Sequence, residues 1–420
     1  MAEAKFKSKF PKRFLWGAAT SAYQVDGGIH NQWTVWELEN AKVKAAQAEY
    51  HFGDYESWNQ IKKQAKDPNN YVAGDLADHR KLFTEDFDLL QKMHMNAYRF
   101  SVEWSKIEPR EGVFNTGEFA YYKKYISELK SRGIEPIMTL FHFTLPVWFA
   151  EKGGFEKRSN VKYFTRFVKK LIGEIGSSVK YIITINEPET YAFSSYYNQD
   201  WPPMEQNIVK LWKVINNLAY THRKTVKIIR LLNKQAKISI AKNSRYFYPG
   251  DNALLSRASA NLMQYFGDDY IIKKFIRNCD FIGVNYEVSD RVYGYRVHNS
   301  EDKMSDIQQN MQPADIQYIL ERLYRKYKLP IMITGNGLAN ANDENRKWWI
   351  TQTIIGMQNA IEYGVKLIGY LHWSLMDTFE WSYGKWPKFG LVQVDYKTRE
   401  RKLRPSAVWF GRIIKKIRGL

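Results

Sequence analysis

Two short stretches of this chain end where chemistry could be done. Tyr181-Ile182-Ile183-Thr184-Ile185-Asn186-Glu187-Pro188 is a β-branched run that closes on an amide and a carboxylate, before a proline that ends strand pairing. Pro330-Ile331-Met332-Ile333-Thr334-Gly335-Asn336-Gly337 has the same form, an apolar run that stops at a Gly-Asn-Gly turn, and Gly335 stands where its counterpart carries Glu187. One run delivers an acid and the other a gap.

Other apolar runs end in a similar mixture. Gln24 follows the first, Arg99 sits within the second, His142 and Phe143 follow the third, Asn285 closes the sixth, and Trp373 closes the last, with Glu380 and Trp381 soon after. Each has an ordinary reading taken alone: a cap or turn for Gln24 and Asn285, a core histidine for His142, packing for Trp373 and Trp381, an ion-pair partner for Arg99. Their convergence argues for a binding site. Bidentate amides and carboxylates beside indole faces suit a sugar, which offers hydroxyl pairs and one apolar ring face.

Such residues meet only if the elements before them form one sheet with a common exit side. The apolar runs Phe14 to Gly17, Ala97 to Ser101, Pro136 to Phe141, Tyr181 to Asn186, Ile238 to Ala241, Phe281 to Asn285, Ile331 to Thr334 and Leu367 to Trp373 are eight expected strands. Between them lie segments of helical period, Lys81 to Met95, Phe119 to Arg132, Val161 to Ile175, Ile208 to Leu232, Pro313 to Tyr327 and Asn345 to Tyr363, and Ala407 to Arg418 adds a last one. Eight strand and helix units predict an α/β chain folded as a (β/α)8 TIM barrel, whose reactive groups gather at the C-terminal strand ends. An open doubly wound sheet lacks the Gly-rich phosphate loop that it would need after an early strand. Insertions at about 38–75 and 286–312 interrupt the alternation on the exit side. With no internal repeat and no low-complexity linker, residues 1–420 are expected to form a single domain.

Composition narrows the function classes. The net charge is +19, but the basic residues are dispersed in pairs such as Lys123-Lys124 and Lys273-Lys274, so solvated helix faces are expected rather than a nucleic-acid partner. The 8 His form no His-Glu-x-x-His or Cys/His cluster, and neither a metal nor a cofactor is expected. Cys279 is the one cysteine, no run of about 18 apolar residues occurs, and MAEAKFKSKFPK lacks a signal-peptide core. A cytoplasmic protein with no membrane partner is the expectation.

Seven strings then match a known pattern in order: FPKRFLWGAATSAYQVDGG, NAYRFSVEWSKIEP, LFHFTLPVWF, TINEP, FIGVNY, HWSLMDTFEW and FGLVQVDY. Along essentially its full length the chain resembles the family 1 glycoside hydrolases, retaining and exo-acting β-glucosidases and β-galactosidases. The resemblance implies small-molecule β-glycosides or oligosaccharides as ligands. It makes Glu187 the acid/base, with Asn186 on the sugar 2-hydroxyl, Gln24, His142, Glu380 and Trp381 around the far hydroxyls, Trp373 as platform, and Arg99 and Asn285 in support.

The chain departs from the family at one decisive place. Family members read Ile-Thr-Glu-Asn-Gly where this chain has Ile333-Thr334-Gly335-Asn336-Gly337, so Gly335 holds the nucleophile's position. A retaining enzyme needs two carboxyl groups about 5 to 5.5 Å apart. Hydrolysis is therefore expected to be strongly impaired. Because the surroundings are intact, a replacement at this one position that redirects the chemistry to glycosynthase use is favoured over a naturally inactive sugar-binding relative. Glu287 stands where a second Tyr usually follows Asn285-Tyr286, and it is a lesser candidate for a substitute carboxylate. Phe143 for Trp and Thr378 for Asn read as drift.

Overall fold

The computed structural model describes residues 10–299 and 303–420, which leaves 1–9 and part of the expected second insertion outside the description. Eight parallel strands close into a barrel: β1 (Leu15–Ala19), β2 (Ala97–Ser101), β3 (Glu135–Thr139), β4 (Tyr181–Asn186), β5 (Lys237–Asn243), β6 (Ile282–Asn285), β7 (Ile331–Asn336) and β8 (Leu367–Trp373). The hydrogen-bonded order runs β1, β2, β3 and onward to β8, which pairs back onto β1. The expected (β/α)8 barrel is present.

The strands read as nearly continuous apolar runs because both faces are covered, as in other parallel sheets. Ala97, Ile137, Ile183, Ala241, Met332 and Leu371 belong to one buried cluster. Ala97 and Leu371 lie two residues before Arg99 and Trp373, which line the cavity at the barrel mouth, so strand alternation turns them into the barrel. A larger cluster packs the helices around the outside. In helix Val161–Ile175 the buried residues Val161, Phe164, Phe167, Val168, Leu171, Ile172 and Ile175 follow the helical period. The Asn207 side chain caps helix Ile208–Leu232 by accepting from the amides of Val209 and Lys210 at 3.0 and 3.1 Å.

Several boundaries differ from the sequence reading. β1 runs on to Ala19, β5 to Asn243 and β7 to Asn336, because residues at the mouth still pair with neighbouring strands. The first insertion is more helical than expected, with Gln32–Ala46, Ala48–Phe52 and Trp58–Ala65. The second contains Ser289–Tyr293 and Arg296–Val297, which form a small sheet with Tyr246–Pro249. A hairpin of Val392–Val394 and Arg401–Leu403 was also not expected.

β4 and β7 are irregular in the same way. β4 slips its register against β5 between Ile183 and Asn186, and β7 slips against both neighbours beyond Ile333, so that Gly335 faces Asn285. Bulges of this kind re-aim side chains next to functional sites.

Candidate active site

Gln24, Arg99, His142, Asn186, Glu187, Asn285, Gly335, Trp373, Glu380 and Trp381 all line one cavity of about 240 Å³ at the C-terminal mouth of the barrel. Closure of the sheet thus brings together every site residue singled out from the sequence.

Glu187 follows β4 with φ 40 and ψ 66, a left-handed conformation that costs a non-glycine residue energy. Its amide donates to the Ala241 carbonyl of β5 at 2.7 Å, which holds it there. The carboxylate accepts from the Asn285 amide at 2.5 Å and more distantly from Asn243 at 3.5 Å. Beneath it the buried Lys242 ammonium lies 3.0 Å from Glu189, and Glu189 accepts from the backbone amide of Asn243 at 2.8 Å. This network anchors the loop that carries Glu187.

Arg99 is 1 % exposed and bonded from three sides. It donates to the Thr139 hydroxyl at 3.0 Å, the Thr334 carbonyl at 2.8 Å and the Asn186 side-chain oxygen at 2.5 Å. Its bond to Thr334 places the guanidinium beside Gly335. Burial pulls its pKa down to about 10, while Glu187 acts in the opposite direction.

Two glycines close to each other have different reasons to be there. A Cβ at Gly337 would lie 1.6 Å from the Trp373 carbonyl, so the backbone of β8 demands glycine. At Gly335 the nearest atoms are the Asn285 side-chain oxygen and Cγ, at 3.0 and 3.1 Å, and the backbone is not left-handed. No backbone atom excludes a side chain there. The Asn285 amide lies over the position instead, accepting from the Thr334 hydroxyl at 2.7 Å and donating to Asn186 at 3.2 Å as well as to Glu187.

The opposite wall is acidic and aromatic. Gln24 donates to Glu380 at 3.2 Å and to the Phe379 carbonyl at 2.8 Å. Burial pushes the Glu380 pKa up to about 8, with the Glu287 charge adding to it. Glu287 lines the same cavity and is pushed up to about 7 by burial and then by Glu187. His142 is held well below the usual histidine range by burial and by Arg99, so its ring is neutral. Its Nδ1 has no hydrogen-bond partner among the described residues, and its ring stacks near Trp373 and Trp381 at 5.9 and 6.3 Å. Trp33, Phe143 and Trp201 pack around Trp381 at 4.8 to 5.4 Å.

The cavity also includes Asn243, Asp200, Trp201, Gln309 and Tyr383, which the sequence reading did not single out. Asn243 had a usable signal, since it closes β5 as Asn186 closes β4. Asp200 and Gln309 lie in connecting segments and carried none. Among the described residues no group of three or more His, Cys, Asp or Glu is arranged to hold a metal ion, and no helix is long and apolar enough to cross a membrane.

The cavity gathers amides, carboxyl groups and indole faces, which is a lining able to hydrogen-bond and stack on a polyhydroxylated ring. The profile of glycosyl hydrolase family 1 matches residues 6–281 and 260–418. The chain is 29 % identical to the 1,4-beta-D-glucan glucohydrolase of Thermotoga neapolitana, covering 97 % of this chain and 98 % of that protein. It is 28 % identical to the beta-glucosidase A of Thermotoga maritima, with the same coverage of each. Among solved structures, a beta-glycosidase from Pyrococcus horikoshii superposes with a TM-score of 0.85 at 31 % identity over 98 % of this chain and 96 % of that one. The Thermotoga maritima beta-glucosidase in complex with glucoimidazole gives 0.85 at 26 % identity over 99 and 100 %. The chain belongs to glycosyl hydrolase family 1.

Proposed function

We propose that this protein is a retaining-type β-glycosidase, of the β-glucosidase or β-galactosidase kind, in which the nucleophile is replaced by Gly335. The observation that carries the reading is that Glu187 and Gly335 line one cavity from the ends of two similarly bulged strands, with the sugar-gripping set between them. Glu187 is the acid/base. Asn186 meets the 2-hydroxyl, Gln24, His142, Glu380 and Trp381 hold the far hydroxyls, and Trp373 carries the ring. Arg99 faces the place of the missing carboxylate, with Asn285 in support.

Without a carboxylate at position 335 to attack the anomeric carbon no covalent glycosyl-enzyme forms there, and hydrolysis of a β-glycoside stops. An α-glycosyl fluoride can still enter with its leaving group on the Gly335 side. Glu187 takes the proton of an acceptor hydroxyl, the acceptor oxygen bonds to the anomeric carbon, and fluoride departs from the opposite face. The product is a β-glycoside that the same site cannot cleave.

The test has two arms. Incubation with α-glucosyl fluoride and an aryl glucoside acceptor gives a transfer product, and Gly335→Glu hydrolyses an aryl β-glucoside. Absence of the transfer product together with hydrolysis by Gly335→Glu leaves the glycosidase scaffold and removes the glycosynthase reading. A second reading, a sugar-binding protein without catalysis, draws on the Asn285 amide that lies over Gly335 and bonds to Glu187. Continued silence of Gly335→Glu favours it.

A further inference from the structure

A second cavity, of about 410 Å³, lies beside the first, and the two share Asp200, Ser382 and Tyr383 in their walls. Glu187 and Asn243 leave β4 and β5, whereas Gln24 follows β1 and Glu380 follows β8; β8 and β1 are neighbours across the barrel from β4 and β5. The walls of the second cavity come chiefly from the first insertion, after β1, and from residues 382 and 383, after β8, with residues 198–204 covering it. It adjoins the first cavity through Asp200, from the segment after β4, and through Ser382 and Tyr383, which follow Glu380 and Trp381 in the chain.

Its lining repeats the chemistry of the first. Phe52 stacks on Tyr383 with ring centroids 5.7 Å apart and meets Tyr55 edge-on at 5.4 Å, which gives an aromatic face. Asn40, Gln47 and Lys44 supply hydrogen-bonding groups around that face. Burial lowers the Lys44 pKa and raises that of Asp200, and each opposes the shift of the other. Charged and amide groups beside aromatic rings suit a ligand rich in hydroxyls.

We propose that this second cavity binds a second sugar unit carried by the sugar in the first, so that the glycone is a disaccharide. The inference rests on the sugar-binding reading of the first cavity. It extends that reading, because a site that only trims single terminal sugars has no use for a lined cavity beyond Glu380.

Calorimetric titration of the full chain with methyl β-glucoside, methyl β-cellobioside and methyl β-gentiobioside tests it. At least one disaccharide glycoside binds tenfold or more tightly than methyl β-glucoside. Val43→Trp, at a helix position 52 % exposed and lining the second cavity, fills that space and removes the gain while methyl β-glucoside binds as before. Tyr55→Ala reduces the gain by removing part of the aromatic face. The inference is overturned if neither disaccharide gains affinity, or if the gain survives Val43→Trp, which puts the second sugar on the Glu187 side. If methyl β-glucoside itself fails to bind, the reading of the first cavity falls and this one with it.

Discussion

β4 and β7 both slip their register before leaving the barrel, and each is bonded to a neighbouring strand's exit, yet Glu187 follows one and Gly335 sits at the end of the other. The Glu187 amide donates to Ala241, and the Gly335 carbonyl accepts from the amide of Tyr286 at 3.0 Å. The backbone at both exits is set up to present a side chain inward. The exits differ in backbone and in side chain: Glu187 is left-handed beyond β4, Gly335 is still in the strand, and the Asn285 side chain lies beside Gly335 and donates to Glu187. The contrast teaches that two strands with similar register slips can end one in a charged side chain and the other in none.

On the proposed reading, a carboxyl group placed at position 335 has the largest expected effect. Gly335→Glu raises aryl β-glucoside hydrolysis by at least about 10³-fold, since a nucleophile supplies several kcal/mol and each 1.36 kcal/mol is tenfold in rate. Release of the aryl alcohol reports it; a rise under tenfold means that the β7 exit no longer presents its side chain productively. Next comes the β4 exit. Glu187→Gln lowers transfer from α-glucosyl fluoride by about 10² to 10⁴, the usual worth of a general acid or base, whereas Gly335→Ala changes it only a few-fold because its Cβ meets no backbone and presses only on the Asn285 side chain, at 3.0 Å. Equal losses in the two variants would break the comparison.

A third test concerns Glu380 and Glu287, two further acids of the cavity. The Glu380 and Glu287 carboxyls titrate near 8 and 7 in the folded chain, above the ordinary value of 4.5. Between those values the folded state holds more protons than the unfolded one, so stability falls as pH rises from about 5 to 9. Glu287→Gln removes a charge that Glu380 feels, and it reduces that loss by about 1–3 kcal/mol. Urea unfolding at pH 5 and pH 9 measures it, and an unchanged loss would show that the Glu287 carboxyl is not raised in the folded chain. The smallest effect belongs to Asn243. Its contact with Glu187 is 3.5 Å long, so Asn243→Ala alters the transfer rate by no more than about threefold. A larger loss, seen in the same assay, would move Asn243 into the machinery of the β4 exit.

Much of the barrel was legible because its strands are apolar on both faces and its helices keep a clear period, as Val161–Ile175 does. The exit residues were legible for a related reason: a polar group that abruptly closes an apolar run has to be at a mouth. Tyr246–Pro249 and Ser289–Tyr293 escaped notice because they are short, mixed in polarity, and paired across a long stretch of chain. Asp200 and Gln309 escaped because a residue in a connecting segment has no periodicity to place it.

By itself, the sequence determined which groups stand at the strand ends, and that the seventh run ends on Gly335 where the fourth is followed by Glu187. Tertiary structure decided how those groups interact. Asn285 lies over Gly335 and Arg99 abuts Thr334 only because strands distant in the chain become neighbours when the barrel closes. The raised pKa values of Glu287 and Glu380, and the second cavity behind Tyr383, arise from burial by segments that share no local pattern. Burial and electrostatic coupling depend on distance in space, and the order of residues fixes that distance only through the complete fold.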